Sequence, residues 1–201
     1  MIKKISRERC YGMYPKFPST FAVSDQFTYP DLFKSYTLTV ESKSAKGHAK
    51  NIAVALQQLA VSMNITSFIF LGDTGVAWLS QENDYGPVKE AMQFLEAEKI
   101  GKKFNGGLQV KTEDLIGFIP HLFWLVRCNA ALPIFYFMNE EQTVLGNFCQ
   151  YGNIHFSTLN KSADKLFHKH LAQSGLKIFT DTYCYESFSK TRKITGRGLS
   201  V

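Results

Sequence analysis

The order of apolar segments along the chain is the feature that most constrains its fold. Short runs rich in β-branched and aromatic residues, such as residues 36–41 and 66–71, alternate with longer stretches such as residues 45–63, where apolar residues recur at helical spacing. Glycine, proline or a capping residue bounds most of these runs. This alternation predicts an α+β protein with a mixed, mainly antiparallel sheet and helices packed on it.

The N-terminal half, residues 35–111, predicts the order β-α-β-β-α-β, which is the ferredoxin-like pattern. Its central hairpin is predicted from the run 66–71, a turn over residues 72–75 and a returning strand over residues 76–80. A second helix is expected to begin at Pro87.

The C-terminal half, residues 112–187, predicts the order α-β-β-β-α-β. Its first helix follows the capping residue Thr112 and either continues through Pro120 or breaks there. The two halves share no detectable sequence repeat, so no duplication is inferred. We expect a single compact domain over residues 1–201, with division into the two halves as the alternative. Whether the halves form separate lobes or one continuous sheet stays open.

Both ends of the chain differ from its body. Residues 10–34 form an aromatic lead segment that is expected to pack on the body, and residues 188–201 are expected to form a basic, mobile tail. Basic ends are either solvated termini or contacts for an anionic partner such as nucleic acid. The cations that concentrate the net charge of +6 at the two ends are Lys3, Lys4, Arg7, Arg9, Lys190, Arg192, Lys193 and Arg197.

Neither a secretory signal nor a membrane span is expected. The N-terminus lacks an apolar run, and glycine, proline and arginine interrupt the most apolar stretch, residues 115–138. The four cysteines are scattered and form no Cys-x-x-Cys pair, which is typical of reduced thiols in the cytoplasm. Because closely spaced ligand pairs are absent, neither a metal site nor a cofactor is predicted.

Arg127 is the first candidate binding residue, because it is the only arginine between positions 10 and 191 and follows a strongly apolar stretch. Its planar fork of donors suits an anion clamp, with Asn129 beside it. It can equally face the helix dipole or pair with a buried carboxylate of the protein. His121 shares the predicted helix, six residues earlier and on a different face.

Cys149 and His155 lie on neighbouring predicted strands that a tight turn joins. They can approach each other as a thiol–imidazole pair, the arrangement that activates a nucleophilic cysteine. The alternative is a structural cysteine buried in the core.

Two further candidates lie in the predicted hairpin. Asp73 begins the triplet Asp73-Thr74-Gly75, which resembles that of the aspartic proteases. That chemistry needs two carboxylates and the triplet occurs once, so a second copy of the chain would have to supply the other. The alternative is a turn. Trp78 is a candidate aromatic anchor for a partner.

The order of elements between residues 133 and 180 resembles the central body of the GNAT acyltransferases. The resemblance implies acyl transfer. Residues 158–163, at the place of that family's glycine-rich pyrophosphate loop, contain no glycine.

The leading functional hypothesis is a non-catalytic intracellular protein-binding module of the inhibitor, immunity or adaptor type, whose partner is another protein. One alternative is a small-molecule enzyme of the acyltransferase or thiol type with an anion site at Arg127. A second alternative is nucleic-acid binding through the basic termini, which predicts a steep dependence on salt. No catalytic residue is assigned, and the oligomeric state stays open.

Overall fold

The computed structural model describes residues 2–20, 27–73, 75–80, 84–129, 134–181 and 183–188. Within them the chain forms five α-helices and ten β-strands, which confirms the predicted α+β class. The helices are α1 Arg7–Met13, α2 Ala45–Ser62, α3 Gly86–Ala97, α4 Leu115–Arg127 and α5 Lys161–Ser174. The strands are β1 Lys3–Ile5, β2 Ser19–Thr20, β3 Phe27–Thr28, β4 Lys34–Thr39, β5 Ser67–Leu71, β6 Gly107–Lys111, β7 Tyr136–Asn139, β8 Val144–Phe148, β9 Ile154–Thr158 and β10 Lys177–Ile178.

Eight strands form one antiparallel sheet in the order β1-β6-β5-β7-β8-β9-β4-β10. The strands β2 and β3 form a separate two-stranded sheet. The large sheet combines both predicted halves, because β5 pairs with β7 and β4 pairs with β9.

The sheet is covered on both faces along part of its width. The larger core joins the helices α2 to α5 to side chains such as Phe68, Phe70 and Phe137. A smaller core lies on the other face, where Cys10, Tyr14 and Phe17 of the N-terminal segment pack with Ile69 and with other sheet residues. Strand β5 is therefore buried on both faces, which explains why its sequence is continuously apolar.

The strand expected over residues 76–80 is absent, and this part of the ferredoxin-like prediction is wrong. The strand β5 already has β6 on one side and β7 on the other, so it offers no free edge to a hairpin partner. Trp78 bonds instead to the turn before β6: its backbone N–H donates to Phe104 O and its indole Nε1 donates to Gly106 O.

The N-terminal residues belong to the fold rather than to a solvated end. The strand β1 adds an edge to the sheet next to β6. Arg7, at the start of α1, donates to the carbonyl oxygens of Gly72, Asp73 and Asn105 at 2.8, 2.9 and 3.0 Å. Most of the predicted basic tail, residues 189–201, lies outside the described residues.

The helix ends follow the capping residues of the sequence. Ser44 Oγ accepts from the backbone N–H of Gly47 at the start of α2, and Gly175 ends α5 with a φ of 79°. Helix α4 continues through Pro120 without a break. Among the helices that the structure describes, none combines the length and the apolar character that crossing a bilayer requires.

Candidate metal centre

Three side chains with metal-binding atoms meet at one end of the strands β8 and β9. The sulfur atoms of Cys149 and Cys184 and a ring nitrogen of His155 all lie within 4.8 Å of one another. We call these three residues the thiol–imidazole cluster. Each of them is half-buried, and the Sγ of Cys184 is 3.6 Å from His155 Nε2.

A tight turn between β8 and β9 places two of the three residues. The backbone N–H of Gly152 donates to Cys149 O at 2.8 Å, and that of Cys149 donates to Asn153 O at 3.0 Å. His155 follows as the second residue of β9, paired with Asn147 of β8. The thiol and the imidazole therefore converge because the strands are joined by so few residues.

The turn also surrounds the Cys149 sulfur with backbone donors. The pKa of this thiol is raised from 9.0 to about 11: burial is the largest cause and the nearby Cys184 adds to it, whereas hydrogen bonds from the backbone of Tyr151 and Asn153 act in the opposite direction. At neutral pH the thiol of the metal-free protein is protonated. The two backbone donors would stabilise the thiolate once a cation replaces the proton.

The third residue, Cys184, comes from residues 183–188, which we call the C-terminal strap. Asn153 Nδ2 donates to Tyr185 O at 3.1 Å and fixes the strap to the turn beside Cys149. The hydroxyl groups of Ser187 and Thr39 lie 3.2 Å apart and fix it to β4.

Arg127 provides the charged contact that holds the strap. Its Nη2 donates to Glu186 Oε2 at 2.5 Å, and its Nη1 donates to Gln150 O at 3.1 Å. The guanidinium also lies 5.2 Å from the centre of the Phe188 ring. The protein's own carboxylate and carbonyl thus take one donor from each terminal nitrogen, and the bond to Glu186 favours the ion-pair interpretation of Arg127.

His48 contacts the same turn from the buried side, and the sequence did not identify it as a residue of the site. It is fully buried, its Nε2 lies 2.9 Å from Gly152 O, and its Nδ1 lies 3.0 Å from Ser42 Oγ. Because a carbonyl only accepts, Nε2 carries the proton and Nδ1 accepts from the serine hydroxyl. Burial lowers the pKa of His48, which keeps it neutral at physiological pH.

The remaining predicted residues lie outside the thiol–imidazole cluster. His121 stacks on Phe94 with ring centres 4.3 Å apart. Trp78 is buried in the larger core, and Asp73 Oδ2 accepts from the backbone N–H of Ile134 at 2.8 Å. Asn129 lies just beyond the end of α4 and contributes no atom to the cluster.

The cluster has the chemistry of a zinc site. In tetrahedral zinc centres, Zn–S bonds near 2.3 Å and Zn–N bonds near 2.0 Å separate sulfur from nitrogen by about 3.5 Å. The 3.6 Å between Cys184 Sγ and His155 Nε2 matches this spacing. Burial lowers the pKa of His155, which favours the neutral imidazole that metals bind.

Two carboxylates of the region are engaged elsewhere. Glu186 pairs with Arg127, and Asp181 accepts from the hydroxyl of Tyr185. From the described part of the chain, a metal ion bound by the cluster would therefore have three protein ligands, one His and two Cys, with its fourth position left to water or to another ligand.

A cleft of about 670 Å³ lies at the start of α2, next to the strap. Ser187 of the strap forms part of its wall, together with Thr39 of β4 and Lys43, Ser44 and Lys177. The strap thus connects the thiol–imidazole cluster with the lining of this cleft.

Comparisons of the chain with models of known protein families, with curated proteins and with solved structures found no match.

Proposed function

We propose that this protein binds one soft divalent metal ion, preferentially Zn²⁺, through the side chains of Cys149, His155 and Cys184. The observation that carries the proposal is the convergence of two sulfur atoms and one imidazole nitrogen within 4.8 Å. Thiolate and imidazole ligands favour Zn²⁺ over the oxygen-seeking ions Mg²⁺ and Ca²⁺.

We propose a structural role on the ground that the ligands come from two parts of the chain, while the open fourth position is a feature shared with catalytic zinc sites. Cys149 and His155 belong to the turn between β8 and β9, whereas Cys184 belongs to the strap, so one ion would join two parts of the chain. Hydrolytic zinc chemistry needs a nearby general base, and both Glu186 and Asp181 already have partners.

The test is a titration of the reduced, metal-free protein with Co²⁺, which reports thiolate ligation through its charge-transfer absorption. We expect one equivalent to bind with the spectrum of a tetrahedral site containing sulfur. Cys149→Ser, Cys184→Ser and His155→Ala should each weaken binding at least about tenfold, because each removes one ligand. Cys128→Ser is the matched control, since this thiol lies outside the cluster, and it should bind like the unchanged protein.

The same titration has a predicted pH dependence. The pKa of Cys149 is raised to about 11, mainly by burial, so binding must displace its proton at any pH below that value. The affinity should fall about tenfold per pH unit for each proton displaced as the solution is acidified. Absence of the sulfur charge-transfer band, or equal binding by Cys184→Ser, would refute the proposal.

The protein-binding role expected from the sequence stays a prediction. It depends mainly on the absence of an assembled catalytic site in the sequence, and secondly on a near-neutral body rich in aromatic residues, many of which are buried, Trp78 among them. The nucleic-acid alternative relied on the basic ends, of which Arg7 uses its donors on backbone carbonyls. The enzymatic alternatives also stay predictions, and the thiol type shares Cys149 and His155 with the proposed metal site.

A further inference from the structure

The two sulfur atoms of the thiol–imidazole cluster are close enough to react with each other. All four cysteines of the chain are in the thiol form, and the sulfur atoms of Cys149 and Cys184 lie within 4.8 Å of each other. Cys10 is fully buried in the smaller core, and Cys128 follows the end of α4.

We propose that Cys149 and Cys184 form a reversible disulfide when a hydroperoxide oxidises the protein, and that this bond expels the metal ion. The expulsion of the metal ion rests on the proposed function. The formation of the disulfide concerns only the two thiols of the metal-free protein.

Cys184 is the thiol placed to react first. It lies in the strap beside Tyr183, which is 82% exposed, whereas Cys149 is enclosed by the turn. The imidazole Nε2 of His155, 3.6 Å away, can accept its proton. The resulting thiolate attacks one peroxide oxygen, the O–O bond breaks, and the other oxygen leaves with the proton as water or an alcohol, so that Cys184 becomes a sulfenic acid.

The sulfur of Cys149 then attacks the sulfenic sulfur of Cys184. An S–S bond forms, the S–O bond breaks, and the departing hydroxide takes the Cys149 proton and leaves as water. Two thiols have then lost two electrons and two protons, and one hydroperoxide has been reduced. Both thiolate ligands are consumed, so His155 alone remains and cannot retain the ion.

The experiment begins with reduced, metal-free protein, to which one equivalent of hydrogen peroxide is added before rapid alkylation, proteolysis and mass spectrometry. We expect a Cys149–Cys184 cross-linked peptide, a fall in alkylatable thiols from four to two, and full recovery on reduction. Cys128→Ser should give the same cross-link. Cys149→Ser should stop at a sulfenic acid on Cys184, which dimedone traps.

Oxidation without this cross-link, or cross-links that involve Cys128 as often as Cys149, would overturn the inference. Its failure can be told apart from failure of the metal proposal. A disulfide that forms in a protein showing no Co²⁺ spectrum supports the thiol chemistry and refutes the metal site. In the Co²⁺-loaded protein, loss of the charge-transfer band in step with disulfide formation supports both, and a band that survives formation of the disulfide overturns the expulsion step.

Discussion

At the scale of single residues, Gly152 does most to bring the thiol–imidazole cluster together. It has a φ of +82°, and a Cβ at this position would lie 2.4 Å from Phe123 Cε2 and 3.0 Å from His48 Cδ2. Both neighbours are buried aromatic rings with little room to move. Only glycine therefore fits the turn that sets Cys149 against His155.

Gly152→Ala should destabilise the metal-free protein by about 2–4 kcal/mol, because a left-handed backbone and an overlap with two rings act together. Gly175→Ala is the matched control: its φ is +79° and nothing lies within 4 Å of its added Cβ, so it isolates the backbone contribution. We expect that control to cost about 1–2 kcal/mol. Urea denaturation measures both, and equal costs would show that the turn relaxes around the new methyl group.

At the scale of elements, the sequence predicted what local pattern determines. The helices α2 and α5 and the strands β7 to β9 formed where periodicity and capping placed them. Residues 76–80 have the composition of a strand, but pairing needs a free edge and β5 had none. The strand β1 was missed because its exposed lysines, which are common on edge strands, obscure the buried Ile5.

The residues of the candidate site also divide into those that the sequence can predict and those that it cannot. The proximity of Cys149 and His155 can be predicted from the sequence, because a tight turn joins the two short strands and forces them to pair as neighbours. Cys184 cannot be added, because it lies 29 residues beyond His155, after a helix and a further strand. Its position depends on the contact between Glu186 and Arg127, which no local pattern reveals.

Glu186→Gln should therefore weaken metal binding without touching a ligand. The side chains of Arg127 and Glu186 are only 23% and 11% exposed, so losing the charge pair should cost about 1–2 kcal/mol, or roughly five- to thirtyfold in Co²⁺ affinity. Glu41→Gln is the control, because its ion pair with Lys177 is exposed and should contribute little. An unchanged Co²⁺ affinity in Glu186→Gln would mean that the strap docks without this pair.

At the scale of the whole molecule, the fold depends on covering the sheet from both sides. Four helices build the larger core, while the N-terminal segment supplies the smaller one through residues such as Tyr14 and Phe17. The lead segment was expected to pack on the body, but which face it covers follows only from the strand order, which no pattern within the chain specifies.

Phe17→Ala should cost about 3–4 kcal/mol of unfolding free energy, because this ring is 2% exposed in the smaller core. Phe33→Ala is the control of equal size, since that ring is 43% exposed and little apolar surface would be lost. Thermal or urea unfolding gives both values. A small effect at Phe17 would mean that the helical layer alone stabilises the sheet.

The strap has one more consequence, which follows from thermodynamic reciprocity. Ser187 lines the cleft at the start of α2 and is three residues from the ligand Cys184. Any molecule that enters this cleft and favours the docked strap must tighten metal binding, and the metal ion must tighten its binding by the same factor. Disulfide formation would hold the strap in place without the ion, so the cleft would then respond to the redox state of the solution instead of to its metal content.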